Sequence, residues 1–452
     1  MAPYLRTLLT CVTAAVVLST GSTAAVAFDG QPLSPAALRA DLRFAIETIE
    51  QKHPDLTHSV DPVRLTRAVD EIERSLDRPL GRDQAWAALA RLNPIFADGH
   101  LFIGFPDWRE EARRALEAGT GFFPFEVALD GSENVTIVAA LGGGETPLAG
   151  ARIRQVNGVD IQQLTQAFLA RTHGDSPAFR AALLAQRWWL YQWKMHGAPQ
   201  SYDLVLDGAP TDVLQVPASS ETPAVLRREM SFERQFRFEL LHDDSALLTI
   251  GSFVWQDRDR FFTFTRDAFT QMREAGVRRL IIDIRHNEGG DDQLWIDGIL
   301  RYIAGRPYKT GSHYVLRVLK DNKDKGQVAG QLVTGMIETE NPAFPDNTLH
   351  FDGEVHILVG PLTYSSAVLF SNVVQDYGFG TVVGVGGAVR ARQSGGVQSV
   401  TLPNTGLRLY FPRFVLNRPS GRDDPIWLLP DRPLELDSLH PQVQVEDVLS
   451  VR

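Results

Sequence analysis

The chain of 452 residues contains a single cysteine, Cys11, and it lies in a segment with the pattern of an export signal. Arg6 supplies a positive charge, residues 8–18 form an apolar centre, and residues 25–27 read Ala-Val-Ala, a small-residue cleavage site. Removal of residues 1–27 would leave a chain without a thiol. The mature protein is therefore expected to contain no disulfide, no cysteine nucleophile and no thiolate metal site.

A hydrophobic run of membrane-spanning length is also lacking in the N-terminal segment. Its apolar part, residues 8–18, is interrupted by threonine and is shorter than the ~20 residues that a transmembrane helix needs. We therefore predict a signal peptide at residues 1–27 and no stable membrane span. The protein is expected to be exported, to the periplasm or outside the cell.

An excess of basic residues is absent as well. The sequence has 45 Lys and Arg residues against 55 Asp and Glu residues, a formal net charge of −10. A surface that binds nucleic acid needs a basic face, so this balance argues against a nucleic-acid partner. The apolar content of 44% and charged content of 22% are typical of a soluble globular protein, and the length predicts two to four domains.

Residues 28–118 are predicted to form a helical domain. Ser34 before Pro35 and Asp61 before Pro62 are typical helix starts, an N-cap followed by proline at the first helical position. Apolar residues then recur every three or four positions, which is the helical period. They are Leu38, Leu42, Ala45 and Ile49 in the first helix and Leu65, Val69, Ile72 and Leu76 in the second. Further helical runs cover residues 85–92 and 108–116.

The period changes in residues 119–230, where short strands are predicted. The strands cover residues 122–129, 135–139, 151–159 and 202–206, with one helix at 161–169. This order predicts a small β-rich module. The glycine run at 142–144 is followed by a strand and not by a helix, which argues against a dinucleotide site.

Residues 231–452 are predicted to form an α/β core. Residues 280–284 are a nearly continuous apolar strand of the kind that is buried on both faces. The strand ends in Arg-His-Asn-Glu-Gly-Gly at 285–290, and a helix follows. Residues 355–385 repeat the order strand, turn, helix, strand.

The turn in this second unit carries hydroxyl residues at the start of a helix: Thr363, Ser365 and Ser366. A serine at that position lies beside the free backbone N–H groups of the first helical turn, which favour negative charge. This is the environment that an acyl-transfer nucleophile needs. Serine and threonine also cap many helices without catalytic function, so the local pattern leaves both roles open.

Three motifs of the core occur in an order that resembles the S41 family of serine peptidases, which includes the C-terminal processing (tail-specific) proteases and the tricorn core proteases. They are Asp-Ile-Arg-x-Asn-x-Gly-Gly at 283–290, Thr-x-Ser-Ser-Ala at 363–367 and Gln-Asp-Tyr-Gly at 375–378. The resemblance covers the mature chain and includes a PDZ-like signature at 150–158.

The resemblance implies a multidomain α/β fold with a crotonase/ClpP-like ββα catalytic core at 231–452. A helical N-terminal domain and a PDZ-like module with a linker, 119–230, would precede this core. Ser365 would be the nucleophile of a serine-type endopeptidase that hydrolyses peptide bonds in protein or peptide substrates. The resemblance implies no cofactor and no metal ion.

The sequence departs from the processing-protease branch at the general base. That branch has a lysine fourteen residues after the aspartate that corresponds to Asp376, and here the position is Arg390. A guanidinium group stays protonated near neutral pH and cannot accept the serine proton. No lysine follows Lys325, so a Ser/Lys dyad at this position is excluded.

The tricorn-like branch has instead a histidine base from the N-terminal part and an acid near the C-terminus. His100 matches the histidine motif and Asp424 the position of the acid, with Asp423 as a competing carboxylate. Imidazole titrates near neutral pH, and a carboxylate would fix its tautomer. That branch also has a serine beside the histidine, but this chain has Gly99.

The oxyanion hole is expected to use backbone N–H groups from both turns. Gly289 and Gly290 would provide one donor and Ser366 the other, because a carbonyl oxygen needs a close backbone approach and preorganised donors. His286, on the same glycine turn, is the rival general base.

Two other functions are compatible with the same resemblance. One is a catalytically inactive ligand- or peptide-binding protein on this fold, as in the retinoid-binding repeats of the interphotoreceptor protein, and the other is an esterase or amidase acting on small substrates. Labelling by a fluorophosphonate probe would distinguish the hydrolases from the binding protein.

Overall fold

The computed structural model describes residues 31–435 and 441–450. The predicted signal peptide, residues 1–27, lies outside the described residues. Within the described part, no helix is both long enough and apolar enough to cross a membrane.

The N-terminal part is helical, as predicted. The Ser34 hydroxyl accepts a hydrogen bond from the Ala37 N–H (3.3 Å), and the Asp61 carboxylate accepts one from the Val63 N–H (2.9 Å), so both predicted N-caps are formed. The apolar stripe of the first helix is almost completely buried. The five helices, α1 to α5, span Pro35–Lys52, Pro62–Ser75, Arg82–Leu89, Asn93–Phe96 and Trp108–Glu117.

The middle part contains an antiparallel sheet and four helices. Its sheet has the order β2-β3-β4-β6-β7, and β5 pairs with β4. The strands β2 to β7 span Phe125–Leu129, Val135–Ala140, Arg152–Val156, Val159–Asp160, Ser201–Leu206 and Ala209–Pro217. The helices α6 to α9 span Ile161–Leu169, Pro177–His196, Ala224–Glu229 and Phe232–Gln235.

The 20-residue helix α7 was not predicted from the sequence. Its buried residues, which include Trp188, Trp189 and Tyr191, lie on more than one side of the helix. A helix that is buried nearly all round shows no amphipathic stripe, so the periodicity test has little to detect. Helix α7 packs against β2, and its residues Phe179 and Leu183 pack against Leu362, Tyr364 and Val368 of the core.

The core is a six-stranded sheet of order β19-β14-β13-β10-β9-β8, parallel except for β8. The strands β8, β9, β10, β13, β14 and β19 span Phe236–Leu240, Ser245–Ile250, Arg279–Asp283, Glu354–Val359, Thr381–Gly384 and Arg432–Pro433. The helices α10 to α14 span Arg258–Ala275, Asp292–Trp295, Arg301–Ile303, Ser366–Tyr377 and Pro441–Ser450.

The register of the core brings the two predicted functional turns together. Strands β10 and β13 are parallel neighbours, with Asp283 opposite Leu358, so both strands end at the same edge of the sheet. The turn after β13 is bonded to the turn after β10: the Tyr364 N–H donates to the Asn287 carbonyl (2.9 Å), and the Thr363 hydroxyl donates to the Ile284 carbonyl (2.9 Å).

Two small sheets complete the described structure. One has the order β12-β11-β18-β15, and the other, of order β1-β17-β16, joins the N-terminal part to the core. Strand β1 therefore attaches the segment after His100 to the C-terminal half of the chain. The strands β1, β11, β12, β15, β16, β17 and β18 span Phe102–Gly104, His313–Arg317, Leu332–Met336, Gln393–Gly395, Gln398–Thr401, Arg408–Phe411 and Phe414–Leu416.

Candidate active site

Ser365 lies at the N-cap of α13 with an unusual backbone conformation, φ 53° and ψ −123°. A non-glycine residue with positive φ is uncommon and costs on the order of 1–3 kcal/mol, so this conformation persists only where the surroundings impose it. Its N–H is held by the side-chain oxygen of Gln393 (3.1 Å), and its side chain is half-buried. The strained turn places Ser365 at the edge of the sheet, next to the N-terminus of α13.

The glycine turn after β10 lies directly against Ser365. A Cβ atom at Gly289 would be 2.6 Å from the Ser365 Cβ and 2.9 Å from the Ser366 nitrogen, so only glycine fits there. The buried Asn287 fixes this turn: its side-chain oxygen accepts the Gly289 N–H (2.9 Å), and its amide donates to the Ile250 carbonyl (3.1 Å). The sequence analysis assigned no role to Asn287.

Two backbone N–H groups near Ser365 have no hydrogen-bond acceptor among the described residues, those of Gly290 and Ser366. The Gly289 N–H, by contrast, is used by Asn287. Gly290 has φ 142°, and a Cβ there would lie 2.2 Å from the Phe253 oxygen. Of the expected oxyanion donors, the geometry thus leaves Gly290 and Ser366 available, and Gly289 allows the close approach of the two turns.

The Ser366 side chain points away from this chemistry. Its hydroxyl donates to Asp292 at 2.5 Å and accepts from the Trp295 indole N–H at 2.8 Å. Burial raises the pKa of Asp292 to about 6, although the hydrogen bonds that Asp292 accepts from Ser366 and from the Trp295 indole (3.3 Å) oppose the shift. The Ser366 hydroxyl therefore anchors the start of α13.

His100 lies in a tight loop against the residue that precedes the nucleophile. Its ring is 4.7 Å from the ring of Tyr364, measured between centroids, and its side chain is nearly buried. No hydrogen bond joins His100 to Ser365 in the described structure. A Cβ at Gly99 would be 2.6 Å from atoms of the Tyr364 ring, which explains why this chain has no serine at that position.

The Nδ1 atom of His100 is bonded to a serine from a distant part of the chain. Ser394, on β15, has its hydroxyl 2.9 Å from the His100 Nδ1 and 2.9 Å from a carboxylate oxygen of Asp98. The same carboxylate oxygen accepts the His100 backbone N–H (2.7 Å). The sequence analysis did not identify Ser394 as a partner of the histidine.

Burial is the main influence on the pKa of His100. Desolvation lowers this pKa below its usual value of 6.5, and the nearby Asp98 charge raises it by a smaller amount. The pKa of Asp98 itself is lowered: its partners, chiefly His100, outweigh the effect of burial. The lowered pKa of His100 favours the neutral ring, which is the form that accepts a proton.

A buried polar network fastens the histidine loop to the nucleophile turn. The Tyr364 hydroxyl donates to Asp175 (2.8 Å) and accepts from the Gly99 N–H (2.9 Å), which also contacts Asp175 (3.0 Å). Burial and the Asp98 charge raise the pKa of Asp175 to about 6. Because these partners come from distant parts of the chain, the site forms only when the three parts pack together.

Arg390 occupies the position where the processing-protease branch has its lysine. Its guanidinium donates to the Ala97 carbonyl (2.6 Å) and lies 3.7 Å from Asp175, and its backbone N–H donates to Asp175 (2.9 Å). Ala97 has φ 48°, a left-handed conformation at the end of α4. Arg390 therefore holds the loop that carries His100.

The structure does not bring the remaining expected residues to His100. Asp424 is exposed and forms no hydrogen bond or ion pair with any described residue, and Asp423 accepts from the Asn417 amide (2.6 Å). Ser394 is the hydrogen-bond partner of the His100 Nδ1, so the role of Asp424 stays a prediction that no hydrogen bond among the described residues supports. His286 is exposed, and its Nδ1 lies 3.1 Å from the Gln186 amide.

Within residues 31–435 and 441–450, no group of three or more His, Cys, Asp or Glu side chains is arranged to hold a metal ion. The arrangement instead joins a strained serine, a buried histidine and two free backbone donors at one sheet edge. These groups are suited to acyl transfer.

Comparison with known proteins agrees with this chemistry. Residues 244–431 match the sequence model of peptidase family S41, whereas His100 lies outside the matched span. No curated protein sequence matches the chain.

Solved structures match nearly the whole chain. Mature CPAF complexed with lactacystin has a TM-score of 0.64 at 14% identity, covering 92% of this chain and 97% of that chain. Mature CPAF gives 0.62 at 14% identity, covering 92% and 95%. The photosystem II D1 C-terminal processing protease gives 0.46 at 17% identity, covering 92% and 97%. At these identities the CPAF structures indicate the fold, and the predicted α/β fold class is confirmed.

Proposed function

Residues 244–431 match peptidase family S41, and from this premise we propose that the chain is an exported serine endopeptidase of this family acting on protein or peptide substrates. The family match supports a serine-type peptidase. The export step rests on the sequence pattern of residues 1–27. Cleavage within chains, as opposed to removal of terminal residues, is part of the proposal.

In the proposed mechanism Ser365 is the nucleophile and His100 the general base. The Ser365 Oγ attacks the scissile carbonyl carbon while its proton moves to the Nε2 of His100. The imidazolium then returns this proton to the leaving amine, and the C–N bond breaks. Water repeats the two proton transfers to release the acyl group.

The negative charge that develops on the carbonyl oxygen would be stabilised by the backbone N–H groups of Gly290 and Ser366. Both are without acceptors among the described residues, and the Ser366 donor is at the N-terminus of α13. Such donors cost no reorganisation during the reaction, because the Asn287 side chain and the strained turn already hold them in place.

One observation carries the proposal. Ser365 is a strained residue at a helix N-terminus, and the ring of the preceding residue, Tyr364, packs against the ring of His100 at 4.7 Å between centroids. A serine that only caps a helix would have no reason to be fastened to a buried histidine loop from the N-terminal domain. Arg390 supports the histidine branch of the mechanism, since it anchors that loop and cannot act as a base.

Substrate binding is assigned to the middle part of the chain. Strand β2 is at the edge of the sheet β2-β3-β4-β6-β7 and is flanked by α7, so an extended peptide could pair with its free edge. The domain limits 28–118, 119–230 and 231–452 and the PDZ-like nature of the middle part stay predictions. Deletion of residues 119–230 would not test substrate binding alone, because it also removes α7, which packs on the core.

The test is covalent labelling of the mature protein with a fluorophosphonate probe, combined with hydrolysis of an unstructured protein. Wild type and Ser399→Ala, a control at an exposed serine of β16, should be labelled and should cleave the substrate. Ser365→Ala should do neither, and mass spectrometry should find internal fragments. Labelling and cleavage that persist in Ser365→Ala would refute the peptidase mechanism, and labelling without peptide cleavage would indicate an esterase.

A further inference from the structure

A series of hydrogen bonds lies behind His100 and has no role in the mechanism proposed above. It begins at Asp98, passes through the Ser394 hydroxyl and ends at Nδ1 of the imidazole, with 2.9 Å at each step. All three side chains are more than nine-tenths buried. The exposed Asp424 has no contact with this chain of bonds.

The chemistry of the Asp98 carboxylate and the His100 imidazole determines which group donates each of these hydrogen bonds. An ionised carboxylate only accepts, so the single Ser394 hydroxyl hydrogen is directed to Asp98. The Ser394 oxygen can then only accept from His100, which places the imidazole hydrogen on Nδ1. The Nε2 atom is left unprotonated and able to accept a proton.

We propose that Ser394 and Asp98 are the positioning residues of the catalytic histidine: Asp98 acts through the Ser394 hydroxyl to hold His100 in the Nδ1–H tautomer and to stabilise its imidazolium. This inference rests on the proposed function, in which Ser365 is the nucleophile and His100 its base. It assigns the carboxylate partner to a residue two positions before the histidine, in place of Asp424.

The local architecture keeps this relay in place. The backbone N–H of His100 donates to the same Asp98 oxygen that receives the Ser394 hydrogen, so the loop turns back on its own carboxylate. Ser394 is held on the edge strand β15 by pairing with β18. The neighbouring Gln393 bonds the Ser365 N–H, so one short strand contacts both the nucleophile and the histidine.

Other titratable groups face the relay from several elements. The charged and ionisable groups near Asp98 and His100 are His53, His58, His173, Asp175, Tyr364 and Arg390. None of them is hydrogen-bonded to the His100 ring, but the Tyr364 hydroxyl is also bonded to Asp98 (3.4 Å), and Asp175, whose pKa is raised to about 6, titrates in the same pH range. The low-pH limb is therefore assigned to His100 by comparing the wild type with the Ser394 and Asp98 variants. The charge of Asp98 is the one influence that raises the pKa of His100.

The test is the pH dependence of kcat and KM for one peptide substrate, with rates referred to folded protein measured by circular dichroism. Ser394→Ala and Asp98→Asn should each lower kcat by about 10²-fold, within the range of general-base catalysis, and change KM little. The low-pH limb should move to lower pH in both variants, because each change removes stabilisation of the imidazolium, and it should move further in Asp98→Asn, where the carboxylate charge itself is lost. Ser399→Ala is the matched serine control.

The double variant Ser394→Ala/Asp98→Asn extends the test, since two residues that act as one unit give non-additive losses. The double variant should lose about as much as the worse single variant. Full kcat in Ser394→Ala, a loss confined to KM, or additive losses would each overturn the relay. If Asp424→Asn lost kcat and Asp98→Asn kept the wild-type rate, the relay proposal would be wrong, but the proposed peptidase function would stand. An inactive wild type that the fluorophosphonate probe does not label would refute the proposed function itself.

Discussion

The replacement of Gly99 by alanine tests whether the packing of the histidine loop against Tyr364 controls catalysis. Gly99 has no positive φ, so the substitution adds no backbone strain. The new Cβ would be 2.6 Å from two carbons of the Tyr364 ring. Ordinary carbon contacts are ~3.5–4.0 Å, so the loop and the ring must separate by about 1 Å.

Tyr364 has little freedom to move away. Its hydroxyl is bonded to Asp175, and its ring packs against Phe179 at 4.9 Å. Overpacking of this kind costs about 1–3 kcal/mol of unfolding free energy. A displacement of about 1 Å at a catalytic group can lower the rate by about 10²-fold. We therefore expect Gly99→Ala to lower stability moderately and kcat/KM strongly.

Urea unfolding and kcat/KM on a peptide substrate measure the two effects. Gly305→Ala is the matched control, since a Cβ at Gly305 meets no atom within 4 Å and the residue has no positive φ. Gly99→Ser should behave like Gly99→Ala, although it supplies the serine found beside the histidine in the tricorn-like branch. If either variant is as stable and active as Gly305→Ala, the contact with Tyr364 does not position His100.

Three further outcomes follow from the site. Wild-type kcat/KM should rise with pH through one ionisation below 6.5, because only the neutral His100 ring accepts a proton and burial lowers its pKa more than Asp98 raises it. A rise that occurs only above pH ~8.5 would indicate another base. Arg390→Lys should lower kcat/KM by about tenfold or more, because the anchor on the Ala97 carbonyl is weakened, whereas a gain in activity would indicate a lysine base. The pKa of Asp292 is about 6 in the folded state against 3.8 in the unfolded state, so between these pH values the folded state keeps a proton that the unfolded state has lost. This group therefore removes about 3 kcal/mol of stability as the pH rises from below 3.8 to above 6. Urea unfolding at pH 4 and 7 should show a correspondingly weaker pH dependence in Asp292→Asn, and an unchanged dependence would contradict this.

The elements with a clear local period could be predicted from the sequence alone. Helix α6 has the predicted bounds, Ile161–Leu169, and the caps at Ser34 and Asp61 are formed as expected. The strand–turn–helix units of the core were also predictable, since apolar strands, glycine turns and helix starts are local signals. The meeting of the Ser365 turn with the glycine turn followed from these units, because parallel strands end at one edge of a sheet.

The partners of the histidine were decided only by the tertiary structure. Ser394 is 294 positions from His100, on a three-residue edge strand without a motif, and no local pattern distinguishes it from other serines. Asp424 has the sequence position of an acid, yet its loop leaves it exposed. Local periodicity reports which residues share a face of one element. Which buried donor meets which acceptor depends on how distant elements pack, and the burial that lowers the pKa of His100 arises only from that packing.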